Sequence, residues 1–102
     1  MILHTVLFWL RPNLDSEEIR KFEDGVRSLM TIHTVRFAYV GKPASTRRPI
    51  IDSSYSYKLV VGFDDLMGHD LYQNIEGHLK FIKNCGCFWE KVQIYDAVET
   101  VV

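Results

Sequence analysis

The chain has 102 residues, of which 47% are hydrophobic and 25% are charged. This composition is typical of one folded globular domain, which we expect to span residues 1–102, and it excludes a disordered chain. Twelve basic and thirteen acidic residues leave a formal net charge of −1, so electrostatic attraction predicts neither nucleic acid nor a membrane as a partner.

The chain start and the cysteines exclude further classes. No apolar run approaches the roughly 18 residues of a membrane span, and residues 1–6 lack the basic region of a signal peptide. A cytoplasmic location is therefore expected. Cys85 and Cys87 are separated by one residue, and no second pair exists, so a tetrahedral zinc site lacks ligands. We expect free thiols, no metal and no cofactor.

The first two predicted elements are a strand and a helix. Residues 2–10 are nearly all apolar on both alternating faces, which is typical of a strand covered on both sides. Asp15 and Glu18 have the spacing of a capping box, which predicts a helix start. The helix should end near residue 31 or 32. Its apolar stripe consists of Ile19, Phe22, Val26, Leu29 and Met30.

Two more strands are predicted in the middle of the chain. Residues 34–40 are rich in β-branched and aromatic side chains, and Gly41-Lys42-Pro43 ends this strand. Residues 44–53 have no hydrophobic period and form a loop. Residues 54–63 alternate cleanly, which predicts a third strand with one strongly apolar face. That face carries Tyr55, Tyr57, Leu59, Val61 and Phe63.

A second helix and a fourth strand complete the predicted order. Asp64-Asp65 is a helix start signal, and helical periodicity continues to about Lys83. Residues 88–98 read as the last strand. The apolar stripe of the helix includes two residues that are not aliphatic, Tyr72 and His78.

The element order β-α-β-β-α-β predicts an α+β fold of the ferredoxin-like kind, with an antiparallel four-stranded sheet and two helices on one face. Two helices cover only one face of such a sheet. On the first strand, however, Leu7 and Trp9 oppose the apolar Val6 and Phe8. A second copy of the chain is the simplest cover for the other face, so the sequence predicts a homodimer.

Two histidines lie on surfaces that should pack together. His4 lies on an apolar strand face, and His78 lies on the helix stripe that must cover the sheet. If the faces coincide, the two imidazoles meet Tyr72 in one partly apolar pocket, where histidine can act as general acid or base and a phenol can hold a carbonyl. The alternative is a pair of structural histidines, each hydrogen-bonded within the core.

Other polar and aromatic residues complete this candidate site. Asp96, near the end of the last strand, can accept the second N–H of a histidine, or it can simply cap the strand end. Phe8 and Tyr57 are the candidate ligand contacts, although Tyr57 also suits a core. His33 and His69 fall at element boundaries and are expected to be solvated.

Several short motifs resemble the stress-responsive A/B barrel domain family, in an order that covers essentially the whole chain. They are Leu3-His4-Thr5-Val6-Leu7-Phe8, Val40-Gly41-Lys42, Tyr72 followed by His78, and the ending Phe88-Trp89-Glu90-Lys91-Val92-Gln93-Ile94-Tyr95-Asp96. The resemblance implies a dimeric α+β barrel, in which two ferredoxin-like sheets pack face to face with their helices outside.

The family also implies a possible activity. One plant member is a cofactor-free polyketide cyclase that performs an aldol-type ring closure. In a similar scheme here, His78 would remove a proton next to a carbonyl and Tyr72 would hold the thioester, while His4 and Asp96 would position base and substrate. The chain departs from the family's His-Pro-x-His pattern, because it reads Ile75-Glu76-Gly77-His78. Loss of the proline allows the helix to run on or shifts the direction in which His78 points.

Three functions therefore remain open. The chain is a homodimer that binds a small, partly apolar molecule between sheet and helices, or a cyclase-like lyase with His78 as base, or a dimer without a site. Haem-degrading and quinone-forming monooxygenases share the dimeric fold, but no motif here favours them.

Overall fold

The computed structural model describes all residues, 1–102. Its elements follow the predicted order, except that two helices are present where one was predicted. In chain order they are β1 (Ile2–Leu10), α1 (Ser16–Leu29), β2 (Phe37–Gly41), β3 (Tyr57–Phe63), α2 (Leu66–Asn74), α3 (Glu76–Cys85) and β4 (Trp89–Val98), with a short 3₁₀ turn at Gly86–Phe88 before β4. None of the helices is both long and apolar enough to cross a membrane.

The four strands form one antiparallel sheet in the order β2-β3-β1-β4. This arrangement confirms the predicted ferredoxin-like fold. β1 is a central strand that pairs with β3 on one side and with β4 on the other, and its side chains alternate in burial. Ile2, His4, Val6 and Phe8 are buried under the helices.

Helix α1 begins as the capping box predicts. The Asp15 side chain accepts a hydrogen bond from the Glu18 backbone N–H at 2.8 Å, and the Glu18 carboxylate accepts one from the Asp15 N–H at 3.1 Å. These two bonds satisfy donors that have no partner within the helix. The helix buries Phe22, Val26 and Leu29 against the core.

The second predicted helix is divided in two, which corrects the expectation of one continuous helix. Ile75 adopts an extended conformation with ψ 149°, although no proline is present. Its carbonyl accepts hydrogen bonds from the N–H groups of His78 and Leu79 and so begins α3. In an unbroken helix, Tyr72 and His78 would point about 120° apart. The break turns both into the interior, where they are 1% and 9% exposed.

Two strand boundaries also differ from the prediction. β2 begins at Phe37 rather than at residue 34, and β3 begins at Tyr57 rather than at residue 54. Just before β3, the Ser56 N–H still donates to the Phe8 carbonyl at 2.7 Å, and side-chain hydrogen bonds supplement this backbone contact with β1. The Ser56 hydroxyl accepts from the Leu10 N–H at 2.9 Å, and the Ser54 hydroxyl accepts from the Trp9 indole N–H at 3.1 Å.

Helices α1 and α3 make direct contact at Gly25. A Cβ atom at this position would lie 2.7 Å from Cys85 Sγ and 3.0 Å from a ring carbon of Phe81. Only a residue without a side chain therefore permits this approach. The contact sets the position of α3, the helix that carries His78.

The other face of the sheet carries no helix and is largely apolar. Leu3, Leu7 and Trp9 of β1 are half-buried there. Towards the sheet edges, Tyr39 and Tyr95 are each 56% exposed. This is the face of the sheet for which the sequence predicted a second copy of the chain as cover.

Candidate functional site

A cavity of about 140 Å³ lies between the sheet and helices α2 and α3. Most of its wall is apolar and includes Val6, Phe8, Phe81, Trp89 and Ile94. The Gln73 amide also faces it, together with three polar rings, those of His4, Tyr72 and His78. The cavity thus has the character of a small-molecule site, with apolar walls and a few polar groups.

The three polar rings form a row in which Tyr72 lies between the histidines. The Tyr72 ring centroid is 5.8 Å from that of His4 and 4.9 Å from that of His78, and both ring pairs meet edge to face. The structure therefore brings together the residues that the sequence proposed, with His4 on the helix-facing side of the sheet.

Asp96 joins this row through His4. The two residues are cross-strand partners in the β1–β4 ladder. The His4 Nδ1 atom lies 2.5 Å from an oxygen of the Asp96 carboxylate, and the Asp96 side chain is 41% exposed. A carboxylate on Nδ1 holds the imidazole in a fixed orientation, so Nε2 is left for the cavity that His4 lines.

His69 is a member of this cluster that sequence reasoning missed. It was expected to be solvated, but its side chain is only 12% exposed. Its ring centroid lies 5.0 Å from that of His4 and 5.7 Å from that of Phe63. Because α2 begins at Leu66, His69 lies in the first turn and three residues before Tyr72, which places both on one helix face. That spacing was the available signal.

Burial determines the charge of the ring groups in the cavity. Desolvation lowers the pKa of His78, and the neighbouring His4 and His69 lower it further. Desolvation also lowers the pKa of His4, although the Asp96 carboxylate opposes this effect. Burial raises the pKa of the Tyr72 phenol. At neutral pH, His78 is therefore a neutral imidazole that faces a neutral phenol.

His78 Nδ1 has no hydrogen-bond partner although it is buried. Leaving a buried polar atom unpaired costs about 1–3 kcal/mol, so such atoms are uncommon in folded proteins. The alternative of two histidines that are both satisfied by core partners therefore does not describe His78.

The two candidate ligand contacts are placed differently. Phe8 lies in the wall of the histidine cavity. Tyr57 does not line it, because its hydroxyl donates a hydrogen bond to the Glu23 carboxylate of α1. Tyr57 instead borders a separate cavity of about 200 Å³ between α1 and the end of β2, which is lined by no histidine.

The two cysteines are free, as the sequence predicted. Cys85 is buried and Cys87 is exposed.

Three solved structures illustrate what the chain is similar to. An Arabidopsis thaliana protein matches at 19% identity with a TM-score of 0.84, covering 100% of this chain and 98% of that one. A protein of ferredoxin-like fold from Mesorhizobium loti matches at 25% identity with a TM-score of 0.79, covering 98% of this chain and 97% of that one. A hydroxynitrile lyase from Passiflora edulis matches at 12% identity with a TM-score of 0.81, covering 99% of this chain and 94% of that one. No curated protein sequence matches the chain.

The sequence match to a family model is more specific than these likenesses of fold. The model of the stress-responsive A/B barrel domain matches residues 2–99, which is nearly the whole of the sequence and includes every helix and strand described above. The chain therefore belongs to the stress-responsive A/B barrel domain family.

Proposed function

We propose that this protein is a homodimer that binds a small, partly apolar molecule in the cavity between the sheet and helices α2 and α3. The observation that carries the proposal is the buried His78 side chain, which lines a mainly apolar cavity and whose Nδ1 has no hydrogen-bond partner. A ligand with one hydroxyl or carbonyl group would supply the missing hydrogen bond while its remaining atoms contact the apolar wall.

The volume of the cavity limits the size of the ligand. An apolar cavity of about 150 Å³ accommodates benzene, and the cavity here measures about 140 Å³. We therefore expect a molecule, or a molecular end, of about one aromatic ring that carries a single polar group. Phenol and benzaldehyde are suitable probes, and toluene is the matched probe without the polar group.

Binding is tested by titrating the full chain with phenol and with toluene, using NMR chemical shifts and thermal stabilisation. We expect phenol to bind about fivefold or more tightly than toluene, which corresponds to about 1 kcal/mol for one neutral hydrogen bond. His78→Phe should remove this preference, whereas His33→Ala, at an exposed histidine, should retain it. If phenol and toluene shift no cavity resonances at millimolar concentration, the binding proposal is wrong.

The homodimer is supported by the uncovered apolar face of the sheet, where Leu7 and Trp9 lie at the centre on β1. Two ferredoxin-like proteins with similar folds are described as dimeric, one from Thermobifida fusca at 14% identity to this chain and one from Bacteroides fragilis at 22%.

The homodimer is tested by light scattering, which should give the mass of two chains. Leu7→Asp should give a monomer, whereas Ile50→Asp, at a loop residue that is 79% exposed, should not. A folded wild-type monomer at micromolar concentration would refute the dimer.

A second candidate function is general base catalysis by His78. The lowered pKa keeps its imidazole neutral, and the adjacent Tyr72 hydroxyl could hold a carbonyl oxygen. The similarly folded Passiflora protein is a lyase, and His4 with Asp96 would position the catalytic pair. The simplest reaction is transfer of a proton from the carbon next to a ketone to His78, and its return.

This candidate is tested by deuterium exchange of the methyl group of acetophenone in heavy water. We expect the wild type to accelerate exchange and His78→Ala to lose the acceleration. His33→Ala serves as the control. Binding without accelerated exchange would leave the protein as a binder and reject the enzyme.

A further inference from the structure

Three elements meet at the Asp96 carboxylate, beside the cavity that His4 lines. β1 contributes His4 Nδ1 at 2.5 Å, and α2 contributes His69 Nε2 at 3.7 Å from the second carboxylate oxygen. One ligand-type atom from each of His4, His69 and Asp96 lies within 4.8 Å of the others. These residues are 65 and 27 positions apart along the chain, so only the fold assembles them.

His69 is oriented for coordination by a second carboxylate. Its Nδ1 lies 3.1 Å from Asp70 Oδ1, and in the tautomer with the proton on Nδ1, Asp70 accepts that proton and Nε2 keeps its lone pair. Nε2 then faces a carboxylate oxygen of Asp96 at 3.7 Å, which is too long for a hydrogen bond. A cation placed between these two atoms would be attracted by both of them.

The donor types are suited to zinc, and the 2.5 Å between His4 Nδ1 and the Asp96 carboxylate would have to widen to admit the ion. With bond lengths of about 2.0–2.1 Å, a tetrahedral ion separates its ligand atoms by roughly 3.3 Å, somewhat less than the 3.7 Å between Asp96 and His69. Two imidazoles and one carboxylate are a zinc ligand set that keeps a fourth position open. The Gln73 amide nitrogen lies 3.4 Å from His69 Nε2, and a half-turn of this amide would bring its oxygen towards the open position.

We propose that His4, His69 and Asp96 form a binding site for one Zn²⁺ ion per chain, oriented by Asp70. Binding displaces the proton between His4 Nδ1 and the Asp96 carboxylate to solvent and moves this partly exposed carboxylate outward to about the zinc ligand spacing. The ion links β1, β4 and α2, and so holds Tyr72 of α2 in place over the cavity. The sequence predicted no metal because three ligands that are 65 and 27 positions apart form no local motif.

The test uses the full chain after removal of metals with a chelator, and Zn²⁺ alone as the probe. Isothermal titration should give one ion per chain, and the melting temperature should rise with zinc concentration. Co²⁺ in the same site should give a tetrahedral visible spectrum without the intense band of thiolate ligation. His69→Ala and Asp96→Asn should each weaken zinc binding by roughly 100-fold, and Asp70→Asn by roughly tenfold.

Two further variants separate this proposal from the others. His33→Ala, at an exposed histidine, and Cys87→Ser, at the exposed thiol, should bind zinc as the wild type does. Circular dichroism verifies that each variant is folded. The proposal is overturned if wild type takes up no zinc at 100-fold molar excess, if His69→Ala binds it equally well, or if Cys87→Ser loses it. Phenol binding by His69→Ala that matches the wild type would show that the cavity and the metal site are independent.

Discussion

Replacing Gly25 with alanine tests how closely α1 and α3 approach each other. Alanine in a helix interior is about 1 kcal/mol more favourable than glycine. However, its Cβ would lie 2.7 Å from Cys85 Sγ and 3.0 Å from the Phe81 ring, and overpacking of a core costs about 1–3 kcal/mol. We therefore expect Gly25→Ala to lower the free energy of unfolding by about 1 kcal/mol.

Removing the Cys85 sulfur should reverse the sign of this effect. In a Cys85→Ala background the nearest clashing atom is absent and the Phe81 ring has room to shift, so Gly25→Ala should stabilise by about 0.5–1 kcal/mol. The coupling between the two sites would then be about 1.5–2 kcal/mol.

Urea denaturation of the four proteins, at one fixed chain concentration, measures this coupling. The m-values should agree among the variants. If Gly25→Ala stabilises both backgrounds equally, or if the two changes add within about 0.5 kcal/mol, then α3 does not pack on α1 as described. The position of His78 on α3 would then need revision.

Three other perturbations have defined outcomes. Burial lowers the pKa of His78 below its usual value of 6.5, so the unfolded chain binds more protons than the folded chain near and below that pH. The free energy of unfolding should therefore fall on acidification. His78→Gln should remove part of this pH dependence, as measured by urea denaturation at several pH values. Asp15→Ala should lower stability by about 1 kcal/mol through loss of the helix cap, whereas Ser16→Ala should change it little; equal losses would contradict the capping box. Tyr57→Phe removes the hydrogen bond to Glu23 and should cost about 1–2 kcal/mol in thermal unfolding, and Glu23→Ala in that background should then have little further effect.

The sequence by itself determined the order of strands and helices and the residues that face the core. This information is local, because alternation in β1, the capping box at Asp15 and the apolar stripe of α1 each depend on neighbours within a few positions. The same patterns placed His4, Tyr72 and His78 on surfaces that pack together, which is why most of the candidate site could be predicted.

Only the tertiary structure decided which polar groups meet. The extended Ile75 directs Tyr72 and His78 into one cavity, and no local signal in an apolar isoleucine marks that break. His69 reaches His4 and Asp96 because α2 packs on the central strand β1, where His4 is the cross-strand partner of Asp96 on β4. Tyr57 is drawn away from the cavity by Glu23 on α1. Such contacts join residues that are far apart in the chain, and they depend on how helices are placed on the sheet, which hydrophobic periodicity does not encode.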